Sequence, residues 1–150
     1  MRSSHIGVRE EVYRRTEKKN LSHAKEVAEY CEKVRRKLKP SLIILHGSTA
    51  KGTNGKWSDV DLIVIADFDA SLIDRVGKLL ELNETRAPIE PLGYTPREFD
   101  EMFSKLNPLA IEAVENGIPI LGENLFNQFK NRLEEMKNKG LKKTKTGWMT

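Results

Sequence analysis

The stretch that decides the fold is residues 45–65, LHGSTAKGTNGKWSDVDLIVI. It opens at the end of a short, almost wholly apolar run, Ser41 to His46, whose composition predicts a buried strand. Gly47 to Ser58 follows with three glycines and several Ser, Thr and Asn residues, the composition of a turn, a short helix and a loop. Asp59 to Ala66 then returns to β-branched residues and predicts a second strand. Strand side chains alternate, so Asp59 and Asp61 point the same way with Cα atoms about 6.5–7 Å apart. Ile63 and Ile65 continue that face, while Val60, Leu62 and Val64 line the other. Two like charges heading an apolar strand repel each other and resist desolvation, a conflict that a divalent cation removes. Hard oxygen ligands suit Mg²⁺, which also takes substrate phosphates into its shell. Gly47 lets backbone N–H groups approach a phosphate, Ser48 adds a hydroxyl donor, and Lys51 and Gly52 extend the same loop.

Outward from this centre the pattern is mixed. Residues 8–18 read as helical. Ser22 is an N-cap candidate for a second helix with an apolar face at Ala24, Val27, Ala28, Cys31, Val34 and Leu38, ended by Pro40. Residues 70–82 carry helical periodicity. Ala87 to Thr95 reads as a third strand, confined by Pro88 and Pro91 to an edge or irregular position. Thr95-Pro96-Arg97-Glu98 predicts a capping box opening a helix to about Lys105. A helix from Asn107 to near Gly117, a short strand at Ile118–Leu121 and a helix over 123–138 complete the series. The basic tail after Gly140 lacks periodicity and is expected to fray. The expectation is one domain over residues 1–150, with an N-terminal helical extension at about 8–38 and a tail at about 140–150. Its class is α/β (α+β), a small mixed sheet flanked by helices.

Composition excludes several classes. No apolar run approaches the roughly 20 residues of a membrane span, and Met1–Gly7 has no apolar signal core. One cysteine, Cys31, allows no internal disulfide, and the expected compartment is the cytoplasm. Net charge is +4, distributed as +6 over residues 1–40, −6 over 41–120 and +4 over 121–150. An acidic middle between basic ends fits a metal centre among surfaces that tolerate phosphate. The basic ends leave a nucleic-acid partner open, but no stacking motif or recognition helix supports one.

The quoted stretch resembles the signature of the DNA polymerase beta nucleotidyltransferase superfamily, and the chain's size is that of its minimal members. The likeness covers about residues 40–122. It implies that Gly47 and Ser48, with Lys51, hold a nucleoside triphosphate, and that Asp59 and Asp61 bind two Mg²⁺ ions, for which Mn²⁺ can substitute. It also implies a third carboxylate on a later strand, for which Glu90 is the acid placed to match. The activity implied is transfer of a nucleoside monophosphate, AMP from ATP, to an acceptor hydroxyl. The alternative is an antitoxin-like role bound to a small helical protein, and a homodimer is also compatible. Two departures stand out: Glu replaces the more frequent Asp at the third position, and Lys51 stands where arginine is common. His46 reads as a packing residue and Trp57 as cover for the loop; Tyr94 and Arg97 lie just past Glu90, where a place in the cleft is the lesser reading beside one away from it.

Overall fold

The computed structural model describes Glu10, Tyr13, residues 23–47 and residues 59–150. In chain order the elements are α1 (Ala24–Leu38), β1 (Leu42–His46), β2 (Val60–Ile65), α2 (Leu72–Glu81), β3 (Ile89–Tyr94) and α3 (Pro96–Ser104). There follow α4 (Pro108–Asn116), β4 (Ile118–Leu121), α5 (Glu123–Asn138), β5 (Lys142–Thr144) and β6 (Gly147–Met149). The mixed α/β architecture read from the sequence is the one observed. Four strands form a sheet in the order β3-β2-β1-β4, antiparallel at β2-β1 and β1-β4 and parallel at β2-β3.

The alternation of β2 sorts the core into two layers. Val60, Leu62 and Val64 face α1 and Leu79 of α2, while Ile63 and Ile65 face α3, α4 and α5. The apolar stripe of α1 packs inside the chain, with Val27, Ala28, Tyr30, Cys31 and Val34 all buried. Tyr30 Oη donates to the Leu79 carbonyl at 2.7 Å, which ties α1 to α2. Burial pushes the Cys31 thiol up to about 12, so it packs as a small hydrophobe. On the other layer Phe129 meets Phe99 and Phe103 edge-on at 5.2 and 5.1 Å.

Local signals set the boundaries. The capping box at Thr95 is complete, with Glu98 N–H donating to Thr95 Oγ1 at 3.1 Å and Thr95 N–H to Glu98 Oε1 at 2.7 Å. Asn107 caps α4 through Leu109 N–H at 2.9 Å. Gly122 turns β4 into α5 at φ 86°, where a Cβ would sit 2.1 Å from the Ser41 carbonyl oxygen. Both edge strands contain a proline, Pro91 and Pro119, which blunts pairing with another sheet.

Two expectations change. The helix containing the α1 stripe begins at Ala24, with His23 in the cap position at φ 62° and no side-chain cap bond; Ser22 lies outside the described residues. Of residues 8–18, only Glu10 and Tyr13 are described. The tail does not fray. Residues 142–149 form a hairpin in which Lys143 pairs with Trp148. Trp148 and Leu141 pack on the α3–α5 layer, and Lys143 bridges to Glu112 at 2.7 Å. Two anchoring apolar side chains near the end of a basic segment give no periodicity, which is why composition alone suggested fraying.

Candidate functional site

Register brings the acids together. His46, Asp61 and Glu90 occupy one row across β1, β2 and β3, as His46↔Asp61 and Asp61↔Glu90 pairs. β1 runs antiparallel to β2 and β3 parallel to it, so the C-terminal end of β1 lies beside the N-terminal ends of β2 and β3. Asp59 precedes β2 at this end of the sheet, and Val60 N–H donates to the Pro88 carbonyl at 2.8 Å, fastening the two strand starts together. Neighbouring strands lie about 4.8 Å apart, so Glu90 stands within side-chain reach of Asp61.

The electrostatics agree with that placement. The Glu90 carboxyl is pushed above its ordinary value, first by the charge of Asp59, then by desolvation and by the charge of Asp61. Hydrogen bonding with both aspartates adds to the shift, the mark of carboxylates competing for one space. Among the described residues, no three His, Cys, Asp or Glu side chains have the spacing of a closed metal cage as they stand. The donor set is nevertheless all hard oxygen on one face, the chemistry that suits Mg²⁺.

Gly47 shapes the floor of this cluster. Its φ is 74°, and a Cβ there would meet Asp61 Oδ2 at 2.5 Å. The glycine thus serves Asp61 as well as the turn, a role the sequence signalled only as a glycine directly after a strand. His46 beside it is half-buried, and burial lowers its imidazole pKa against the opposing pull of Asp61. Its Nε2 is buried with no hydrogen-bond partner among the described residues. The packing assignment therefore needs this amendment: His46 belongs to the same cross-strand row as the acids.

Ser48, Lys51 and Trp57 lie outside the described residues. Tyr94 and Arg97 do not approach the cluster. Tyr94 pairs with Ile65, four residues along from Asp61, or roughly 13 Å at the rise of a strand. Arg97 lies beyond it in α3, exposed and near Glu101. Because β3 runs parallel to β2, each residue after Glu90 moves farther from the acids.

The sequence profile of the nucleotidyltransferase domain matches residues 27–119, which spans the row of acids and both strands that carry it. The chain belongs to this nucleotidyltransferase family. Its fold is similar to the crystal structure of a toxin-antitoxin with AMP-PNP, at TM-score 0.50 and 19% identity, over 73% of this chain and 85% of that one. No curated protein sequence matches. The nucleotidyltransferase domain is thus carried by β1 to β4 with α1 to α4, while α5 and the terminal hairpin lie beyond the matched residues. No helix among the described residues is long and apolar enough to cross a membrane.

Proposed function

We propose that the chain transfers a nucleoside monophosphate, AMP from ATP, to an acceptor hydroxyl, with Asp59, Asp61 and Glu90 as its catalytic carboxylates. The observation that carries this reading is the Asp61↔Glu90 register across the parallel β2–β3 pair, which groups three acids at one sheet end. Asp59, Asp61 and Glu90 would hold two Mg²⁺ ions, or Mn²⁺ in their place. When bound, the ions would supply Lewis acidity to the attacking hydroxyl and to the leaving pyrophosphate. The chain's own contribution is placement. The sheet fixes Asp61 on a strand paired on both sides with Asp59 just ahead of it, and Gly47 keeps the adjacent backbone clear of Asp61. Gly47, Ser48 and Lys51 would position the triphosphate. Glu90, in register with Asp61, would be the group to accept the acceptor's proton.

A second reading is favoured by the similar structure's being a toxin-antitoxin. In it the chain acts chiefly by binding a small helical protein, with or without catalysis. One experiment separates the two readings. The chain is incubated with α-labelled ATP and Mg²⁺, alone and with the small helical protein encoded beside it, where one exists. Label transfer that disappears in Asp59→Asn and Asp61→Asn supports the enzyme. A stable complex with no transfer under either condition supports binding alone, and neither outcome would reject both.

A further inference from the structure

His46 closes β1 with a polar ring on a face that is otherwise apolar. Leu42 and Ile44 belong to the core layer of α3, α4 and α5, so alternation turns His46 to the side that Asp61 occupies on β2. Directly opposed residues of an antiparallel pair carry their Cβ atoms about 4.5–5.5 Å apart. The imidazole therefore flanks Asp61 from β1 as Glu90 does from β3. Its Nε2 is buried and has no hydrogen-bond partner among the described residues.

The neighbours of His46 do not explain that nitrogen. Ile44, two residues back on the same face, is apolar and fully buried. On the β4 side Leu45 pairs with Ile118, and Gly117 just ahead of it has no side chain to offer. A Cβ there would already stand 2.5 Å from Ile44 Cγ2. Asp61 is the residue paired with His46, yet its Oδ2 stands over the Gly47 turn, 2.5 Å from where a Cβ would be. A buried nitrogen so placed gives up its bond to water and gains none from the fold, a cost that asks for an explanation. Its place in the row of acids supplies one, a partner that arrives with the substrate.

We propose that His46 is a nucleotide-binding residue, whose Nε2–H donates a hydrogen bond to the triphosphate at the Gly47 turn. This rests on the nucleotidyltransferase reading and adds to its binding set a side chain on β1 itself. A triphosphate brought beside Asp61 sets negative oxygens against a carboxylate, so a donor at that point relieves their repulsion. Ionised phosphate oxygens only accept, which makes the imidazole the donor. Both the imidazolium and one neutral tautomer carry Nε2–H, so the role needs no change of charge. Magnesium takes oxygen ligands, and an imidazole nitrogen is out of keeping with its shell. Gly47 follows directly at φ 74°, and without a Cβ its backbone lets a phosphate approach the strand end where the ring stands.

The test is isothermal titration calorimetry of the full chain with Mg²⁺ and α,β-methylene-ATP, in which the bond to the leaving pyrophosphate is not cleaved. His46→Phe should weaken binding about tenfold, and the smaller His46→Leu by as much. Without ligand, both should melt at or above the wild-type temperature, because carbon replaces an unpaired buried nitrogen. His46→Gln, whose amide N–H reaches about as far as Nε2–H, should bind within about threefold of wild type. Mn²⁺ binding in the absence of nucleotide, followed by electron paramagnetic resonance, should be the same in wild type and His46→Phe. Unchanged affinity for the analogue in His46→Phe and His46→Leu would overturn the proposal, as would a loss that His46→Gln shares in full. Loss of Mn²⁺ binding in His46→Phe would also overturn it, by making the imidazole a metal ligand. Wild type that does not bind the analogue at about 1 mM would instead sink the nucleotidyltransferase reading, and this proposal with it.

Discussion

Replacing Gly47 with alanine separates what the site needs from what the fold needs. The backbone there is left-handed, at φ 74°, which costs an L-residue about 1–2 kcal/mol. For a chain of this length that corresponds to a fall in Tm of roughly 2–8 °C. The added Cβ would also stand 2.5 Å from Asp61 Oδ2, against about 3.4 Å for ordinary contact, so the carboxylate must retreat by about 0.9 Å. A side-chain tip can do so at little cost in stability. A catalytic group cannot, since a displacement near 1 Å can cost about 10²-fold in rate. The expected outcome of Gly47→Ala is therefore a folded protein, modestly destabilised, with kcat reduced about a hundredfold. Differential scanning fluorimetry and α-labelled ATP turnover measure the two effects separately. Activity within about threefold of wild type in a protein with the expected Tm loss would show that the position of Asp61 does not govern the chemistry, and the site assignment would fail with it.

The remaining predictions follow from the same geometry. ATP with Mg²⁺ should raise the Tm of wild type by linkage and leave the Asp59→Asn/Asp61→Asn double variant unmoved; equal shifts in both would remove the metal assignment. Because Glu90 is raised in the folded state, the native protein binds the extra proton, so stability falls as pH climbs from the ordinary Glu value of about 4.3 through the raised one. Glu90→Gln should thus melt higher than wild type at neutral pH and equally below about pH 4, which paired melting curves would check. Arg75 is buried and donates to Glu98 at 2.6 Å, holding that carboxyl below its ordinary value. Arg75→Met should cost about 1–3 kcal/mol at neutral pH in urea unfolding. That difference should shrink as pH falls through the depressed Glu98 value, because the stabilisation it reports is present only while Glu98 is ionised.

Much of this was legible because each signal was local and had one physical solution. The alternation in Asp59–Ile65 placed the two aspartates on the Ile63 side of the sheet, and the two core layers divide β2 along that line. The Thr95 capping box and the caged positions of Pro88 and Pro91 likewise determine where α3 starts and where β3 lies. What did not show was anything fixed by packing at long range. The exposed strip on α2 has the same periodicity as a buried one, and only the position of Leu79 and Arg75 reveals which side faces inward. The apolar stripe of α1, by contrast, does face inward, where β1, β2 and Leu79 fill it. The distance of Tyr94 and Arg97 from the acids follows from the direction of β3, which the α2 crossover makes parallel to β2.

The two prolines around Glu90 cast doubt on its placement at the level of sequence, and the hydrogen-bond parity of β3 resolves that doubt. In the parallel pair, Val60 N–H donates to the Pro88 carbonyl and Ala66 N–H to that of Tyr94, so even-numbered residues of β3 turn their polar backbone toward β2. Odd-numbered residues turn theirs outward, where the Gly93 carbonyl accepts from Arg75. Pro91 therefore lacks an N–H on the side where no strand waits for one, and its ring costs the ladder nothing. Glu90, being even, has its backbone held toward β2 in register with Asp61. A proline at position 90 or 92 would have broken the pairing that brings the acids together, whereas one at 91 closes the outer edge against a fifth strand and leaves Glu90 fixed at its root and exposed at its tip.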